Sequence, residues 1–213
     1  VLAYNQGLFD TREQAKRGVM AGIVINALNG ERFDKPGEKI SDDLELMIKG
    51  EKLPFVSRGG LKLARALQAF DISVLDQTAI DIGSSTGGFT DVMLQNGAKL
   101  VYAVDVGTNQ LAWEIRKDDR VVVMEQFNFR YAKPEDFSHD LPTFASIDVS
   151  FISLALILPA LYDILLEGGQ VVALIKPQFE AGREQIGKNG IIKDAKIHQA
   201  VIEAVVNMAN GLG

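Results

Sequence analysis

Between residues 78 and 175 the chain alternates short apolar runs with stretches of helical periodicity, and this alternation limits its fold more than any other feature. The runs Thr78–Ile82, Leu100–Val104, Val121–Met124, Phe144–Ile147 and Gln170–Ile175 carry few polar side chains, as strands covered on both faces require. Helices are expected at Gly88–Asn96, Asn109–Lys117, Leu154–Leu166 and Asp194–Asn210. Strand and helix in repeated succession predict an α/β fold with a Rossmann-like, doubly wound, mainly parallel sheet. One further helix is expected after Ser57. It opens at Gly59-Gly60, with Leu61, Ala64, Leu67 and Ala69 as its buried stripe and Lys62 and Arg65 on another flank.

The first 54 residues read differently. Asp10-Thr11-Arg12-Glu13 opens a helix with capping residues, Gly22 closes it, and Ile23–Ile25 is extended. Asn29-Gly30 is a hairpin signal and Lys35-Pro36-Gly37 a second turn. A small α+β module over residues 1–54 is therefore expected ahead of a main domain over 55–213. Val1 is not a natural start, so further residues are expected before it.

Composition removes several chemistries. Without cysteine there is no disulfide framework, thiolate zinc site, iron–sulfur cluster or cysteine nucleophile. The two histidines, His139 and His198, stand in polar surroundings with no evident partner; both are read as surface residues, and no metal site is expected. The apolar runs at Ser153–Leu166 and Gln170–Ile175 are too short to span a bilayer, and a reducing cytoplasm is the expected location. With 22 basic and 28 acidic side chains the net charge is −6, the excess falling after residue 60. Contact with nucleic acid would need a local basic patch. Arg12, Lys16 and Arg17, on neighbouring turns of one helix, could form one, although such a face also serves as a solvated surface.

Candidate site residues gather at predicted strand ends. Asp81-Ile82-Gly83-Ser84-Ser85-Thr86-Gly87-Gly88-Phe89 leaves one strand and enters a helix. Its glycines let backbone approach a ligand closely, and the helix start favours polar or anionic groups. The same glycines would also serve a plain strand-to-helix turn, and their spacing does not match the G-x-G-x-x-G dinucleotide pattern. Asp105, at the end of the next strand, can accept two hydrogen bonds from ribose hydroxyls. Together with the glycine loop it favours a nucleoside cofactor. Asp148 and Lys176 end two further strands, at the sheet edge where such folds bind ligands. They read either as a structural ion pair or as a lysine tuned for proton transfer, with Lys62 as a second cation.

These residues together resemble the hemolysin-A-like (TlyA-type) RNA methyltransferases, within the wider FtsJ-like 2′-O-methyltransferase group. The resemblance rests on Val56-Ser57-Arg58-Gly59-Gly60-Leu61-Lys62-Leu63, the Asp81–Asp91 loop, Tyr102-Ala103-Val104-Asp105-Val106-Gly107, Ser146–Phe151 and Lys176-Pro177-Gln178-Phe179-Glu180-Ala181-Gly182-Arg183. It implies a class I methyltransferase fold, S-adenosyl-L-methionine as cofactor, and ribose 2′-hydroxyls of ribosomal RNA or ribosomal subunits as substrate. It also implies a Lys-Asp-Lys-Glu catalytic set, whose first three members match Lys62, Asp148 and Lys176. The fourth is expected in a later strand, beyond Asn210-Gly211-Leu212-Gly213. Residues 1–54 resemble the alpha-L RNA-binding motif of ribosomal proteins, which turns Arg12, Lys16 and Arg17, with Arg58, into expected RNA contacts.

In this reading Lys176 receives or steers the 2′-hydroxyl proton, Asp148 orients it near the methyl, and Lys62 tunes Lys176 and positions the ribose. Three alternatives stand beside it. An NAD-binding oxidoreductase would share the sheet and Asp105, but no hydride-relay histidine or tyrosine is evident. A non-catalytic RNA-binding factor would be indifferent to Lys176. A hemolysin would need an amphipathic or membrane-spanning segment, which the sequence lacks. Among methyl acceptors, exocyclic amines are disfavoured because Asp148-Val149-Ser150-Phe151 lacks the paired prolines of that motif. Pyrimidine carbon-5 is excluded by the absence of cysteine.

Overall fold

A computed structural model describes residues 1–50, 54–187 and 191–212, and in it the chain builds two separate sheets. The first segment holds α1 (Leu2–Asn5) and α2 (Arg12–Met20). The Thr11 hydroxyl accepts from the Gln14 N–H while the Gln14 side chain accepts from the Thr11 N–H, so two unpaired donors at the start of α2 are satisfied at once. β1 (Val24–Asn26), β2 (Arg32–Phe33) and β3 (Leu46–Ile48) pair antiparallel in the order β2-β1-β3. The β1–β2 connection turns through Asn29-Gly30, tied by the Asn26 carboxamide oxygen, which accepts from the Leu28 N–H. Ala3, Ala15, Val24, Phe33 and Leu46 form a core of their own here. The junction with the main domain passes through residues 51–53, which lie outside the described residues.

The second sheet is built from β4 (Thr78–Ile82), β5 (Leu100–Val104), β6 (Val121–Met124), β7 (Phe144–Ile147) and β8 (Gln170–Ala173). All neighbours are parallel, in the order β6-β5-β4-β7-β8. Strand order reverses at β4, which opens a crevice beyond the carboxyl ends of β4 and β7. α3 (Gly59–Ala69), α4 (Gly88–Gln95) and α5 (Trp113–Arg116) contribute to the core on one face. α6 (Leu158–Ile164) and α8 (Ala195–Leu212) cover the other, and the short α7 (Pro177–Glu180) follows β8.

The two-residue period of a strand sorts β4 between these faces. Ala79 points with Leu63, Leu67, Phe89 and Met93 into one core, whereas Ile80 and Ile82 join Tyr102, Ile147, Leu154 and Leu161 in the other. Asp81 shares the first face and meets Thr90 of α4. α3 and α4 pack with unusual closeness, since a Cβ on Gly88 would lie 2.8 Å from the Gly60 nitrogen. That approach carries Lys62, on α3, to the strand ends.

Several local expectations are corrected. Gly60, Leu63 and Leu67 are the buried positions of α3, while Leu61 is only half-buried and Ala69 is exposed, because close packing on α4 shifts the stripe. The expected helix 109–117 contracts to α5, since Asn109 adopts a left-handed backbone (φ 52°) that no helix continues through. The stretch 154–166 splits into a 3₁₀ turn at Leu154–Leu156 and then α6. β8 ends at Ala173, two residues early. His139 is exposed as expected, but His198 has a partner, its ring Nε2 lying 2.8 Å from the Ile192 carbonyl oxygen. No described helix is long and apolar enough to cross a membrane.

Candidate active site

Three chain-distant residues meet at the crevice. Asp148, just past β7, places Oδ2 2.9 Å from Nζ of Lys62 and Oδ1 2.5 Å from Nζ of Lys176. Lys176, in the loop after β8, also donates to the Val149 carbonyl at 2.8 Å and to the Ser150 hydroxyl at 3.1 Å. Burial pushes the Asp148 carboxyl up, but the hydrogen bonds from Lys176 and Lys62 outweigh it and hold the group below the ordinary carboxylate value. The arrangement is an ionised carboxylate shared by two lysines, which can fix a lysine nitrogen at a reacting proton.

The glycine loop forms one wall. A cavity of about 290 Å³ is lined by Lys62, Asp148, Ser150 and Lys176 opposite Gly83, Ser84, Ser85, Thr86, Gly88 and Phe89. Gly83 has φ 86°, and a Cβ there would sit 2.8 Å from the Asp148 carbonyl oxygen, so only glycine allows the β4 and β7 ends to approach this closely. Gly87 (φ 91°) caps α4 and packs on Leu111 rather than lining the cavity. Phe89 is mainly a core residue.

Asp81 is placed differently from the sequence expectation of a cofactor contact. It is fully buried behind the loop, with Oδ2 accepting from the Thr90 N–H at 2.9 Å and hydroxyl at 2.7 Å, and Oδ1 from the Ser146 hydroxyl at 3.3 Å. It ties α4 to β4 and lines neither this cavity nor the one that adjoins it. The sequence hid this because a strand-end aspartate reads alike whether it faces a cleft or a covering helix. Burial lifts its carboxyl to about 7, the Thr90 and Ser146 bonds offsetting only part. The folded chain thus holds this proton more tightly than the unfolded one. The resulting stability is complete below the ordinary value of 3.8 and is lost as pH rises through about 7. Between about pH 5 and about pH 8 the melting temperature is expected to fall by on the order of 5 °C from this group. Asp81→Asn, which keeps an acceptor for Thr90, should remove that component; an unchanged pH dependence in a melting series would contradict it.

A second cavity, of about 430 Å³, adjoins the first and shares Gly83, Ser85, Asp148 and Ser150 with it. Asp105 lies on its wall, with Oδ2 accepting from the Ser85 N–H at 2.8 Å and Oδ1 from the Gly107 N–H at 2.7 Å. Two backbone donors therefore fix its carboxylate, and the remaining lone pairs can receive a vicinal diol. Phe127, Phe129, Phe151 and Ile157 add apolar wall. A carboxylate beside an apolar slot fits the adenosine end of S-adenosylmethionine, and in the adjoining cavity the glycine loop fits its amino-acid end while the lysine side is left to an acceptor. The sequence reading missed Phe127, Asn128 and Phe129, which follow β6 at the same sheet edge, and it gave Ser150 no role. Phe151 is 91% exposed in a left-handed backbone (φ 64°), its ring 5.1 Å from that of Phe179.

The expected RNA contacts lie in the N-terminal segment and at its junction with the main domain. Arg12 and Lys16 line a groove of about 710 Å³ together with Lys35 and Lys39, two bases the sequence reading had not singled out. Arg17 is exposed and pairs with Glu13 at 3.3 Å, the salt bridge of adjacent helix turns. Arg58 is exposed at the start of α3, near the Asn29-Gly30 turn.

Comparison with known proteins bears on the whole chain. The FtsJ-like methyltransferase profile matches residues 55–212. A Bacillus subtilis protein provisionally named an rRNA methyltransferase, YqxC, is 60% identical over 100% of this chain and 75% of its own length. The 16S/23S rRNA (cytidine-2′-O)-methyltransferase TlyA of Mycobacterium tuberculosis is 41% identical over 98% of this chain and 77% of its own. A solved Streptococcus thermophilus structure, provisionally named a hemolysin, is 72% identical with a TM-score of 0.77, covering 100% of this chain and 77% of that one.

Proposed function

The chain belongs to the FtsJ-like methyltransferase family, and from that premise we propose that it transfers the methyl group of S-adenosylmethionine to ribose 2′-hydroxyls of ribosomal RNA. The observation that carries the reading is the Asp148 carboxylate, held between Lys62 and Lys176 where the two cavities meet. Relatives named as rRNA (cytidine-2′-O)-methyltransferases support the substrate class. The relatives so named are bacterial, and a bacterial ribosomal RNA substrate would place the activity in the cytoplasm.

When bound, S-adenosylmethionine supplies a methyl already activated by its sulfonium. The protein's own task is to hold the acceptor oxygen in line and remove its proton. Asp105 receives the cofactor ribose, and Gly83 and Ser85 border the passage between the cavities. Asp148 orients Lys176, which takes the 2′-hydroxyl proton, while Lys62 holds the other carboxylate oxygen and positions the acceptor ribose. Fixing both reactants supplies up to ~7–11 kcal/mol in ideal geometry. Arg12, Lys16, Lys35 and Lys39, which line one groove, together with Arg17 and Arg58, bind RNA phosphates, so affinity falls steeply with added salt.

The test is transfer of labelled methyl from S-adenosylmethionine to purified ribosomal RNA and, in parallel, to ribosomal subunits. The expected result is label in at least one of these RNAs. A folded protein that binds cofactor but labels neither would overturn the substrate assignment.

A further inference from the structure

We infer that Ser150 relays the ribose proton to Lys176, an inference that rests on the methyl-transfer reading above. Lys176 Nζ has three acceptors around it: Asp148 Oδ1 at 2.5 Å, the Val149 carbonyl at 2.8 Å and Ser150 Oγ at 3.1 Å. These match the three N–H bonds of an ammonium. To accept a proton, the nitrogen must instead present two N–H bonds and one lone pair. An ionised carboxylate and a backbone carbonyl only accept, so a lone pair turned toward either would set two acceptors face to face. A hydroxyl can reverse and donate. The lone pair of the reactive amine therefore points at Ser150 Oγ.

The position of Ser150 suits that role. It is exposed and forms part of the wall of both cavities, at the boundary where a methyl donor and an acceptor ribose would meet. In the step, the 2′-oxygen bonds to the methyl carbon as the carbon–sulfur bond breaks and its electron pair returns to sulfur. The 2′-hydroxyl proton passes to Ser150 Oγ, and the Ser150 proton passes to Nζ of Lys176, leaving an ammonium. Charge is conserved, because a sulfonium is lost as the ammonium forms. Serine is regenerated with a new proton.

Single-turnover methyl transfer at saturating cofactor and RNA tests the relay in wild type, Ser150→Ala and Ser150→Thr. The Ser150→Ala rate should fall about 10–100-fold, with Ser150→Thr recovering most of it and cofactor affinity unchanged. In mixed light and heavy water the wild-type rate should show the curvature of two protons in flight, and the slow Ser150→Ala rate a straight line. Wild-type speed in Ser150→Ala overturns the relay. So does a slow Ser150→Ala that threonine does not rescue and whose isotope response matches wild type, since that pattern belongs to a structural role. If wild type and Ser150→Ala transfer equally while Lys176→Met is inactive, the relay alone falls. If wild type transfers no methyl, the methyl-transfer reading falls and takes the relay with it.

Discussion

Lys176→Met is expected to slow methyl transfer by about 10²–10⁴-fold while leaving cofactor affinity nearly unchanged. Methionine keeps the length and apolar stem of lysine but offers no nitrogen to Asp148, Val149 or Ser150. Asp148 would retain Lys62 as its partner, so the substitution leaves the partly buried carboxylate paired and the chain folded. In the proposed site the cofactor's adenosine end would rest on Asp105 and the apolar slot, whose lining does not include Lys176. The loss should therefore appear in the chemical step. Single-turnover rates beside a binding titration separate the two, and a rate within about threefold of wild type would remove Lys176 from the chemistry.

The second large effect is expected at Asp105, with the opposite signature. Asp105→Ala should weaken cofactor binding about 10²–10⁴-fold, because two hydrogen bonds to a carboxylate, each worth ~1.5–3 kcal/mol, are lost. The Ser85 and Gly107 N–H groups also lose their acceptor, which frees the two loops that shape the slot. Transfer at saturating cofactor should fall far less than the affinity. Titration with S-adenosylhomocysteine measures this directly. A binding constant equal to that of wild type would mean that the adenosine lies elsewhere.

Much of this was legible in the sequence because the parallel sheet is buried on both faces. That burial makes Thr78–Ile82 and Phe144–Ile147 read as short, mainly apolar runs in which only Thr78, Asp81 and Ser146 are polar. The residue that follows such a run stands at the ligand edge, which brought out Asp105, Asp148 and Lys176. The segment 105–117 was less transparent. Its course is set by the Asp105 carboxylate accepting from the Gly107 N–H, by left-handed Asn109 and by the Arg116–Glu125 ion pair, none of which the apolar pattern reports. Asp81 was misread for a related reason: Thr90 and Ser146 reach it only once α4 and β7 have packed against β4. Ser150 went unassigned because one serine in a loop carries no signal until Lys176 arrives beside it.

The central claim is that Lys62, Asp148 and Lys176 serve chemistry at a ribose hydroxyl, and the position of the transferred methyl tests it most directly. RNA labelled by the wild-type protein would be digested with alkali, which cleaves wherever a free 2′-hydroxyl attacks the adjacent phosphodiester. The predicted result is label in alkali-resistant dinucleotides, absent when Lys176→Met replaces the wild type. Label in single nucleotides would place the methyl on a base and contradict the account.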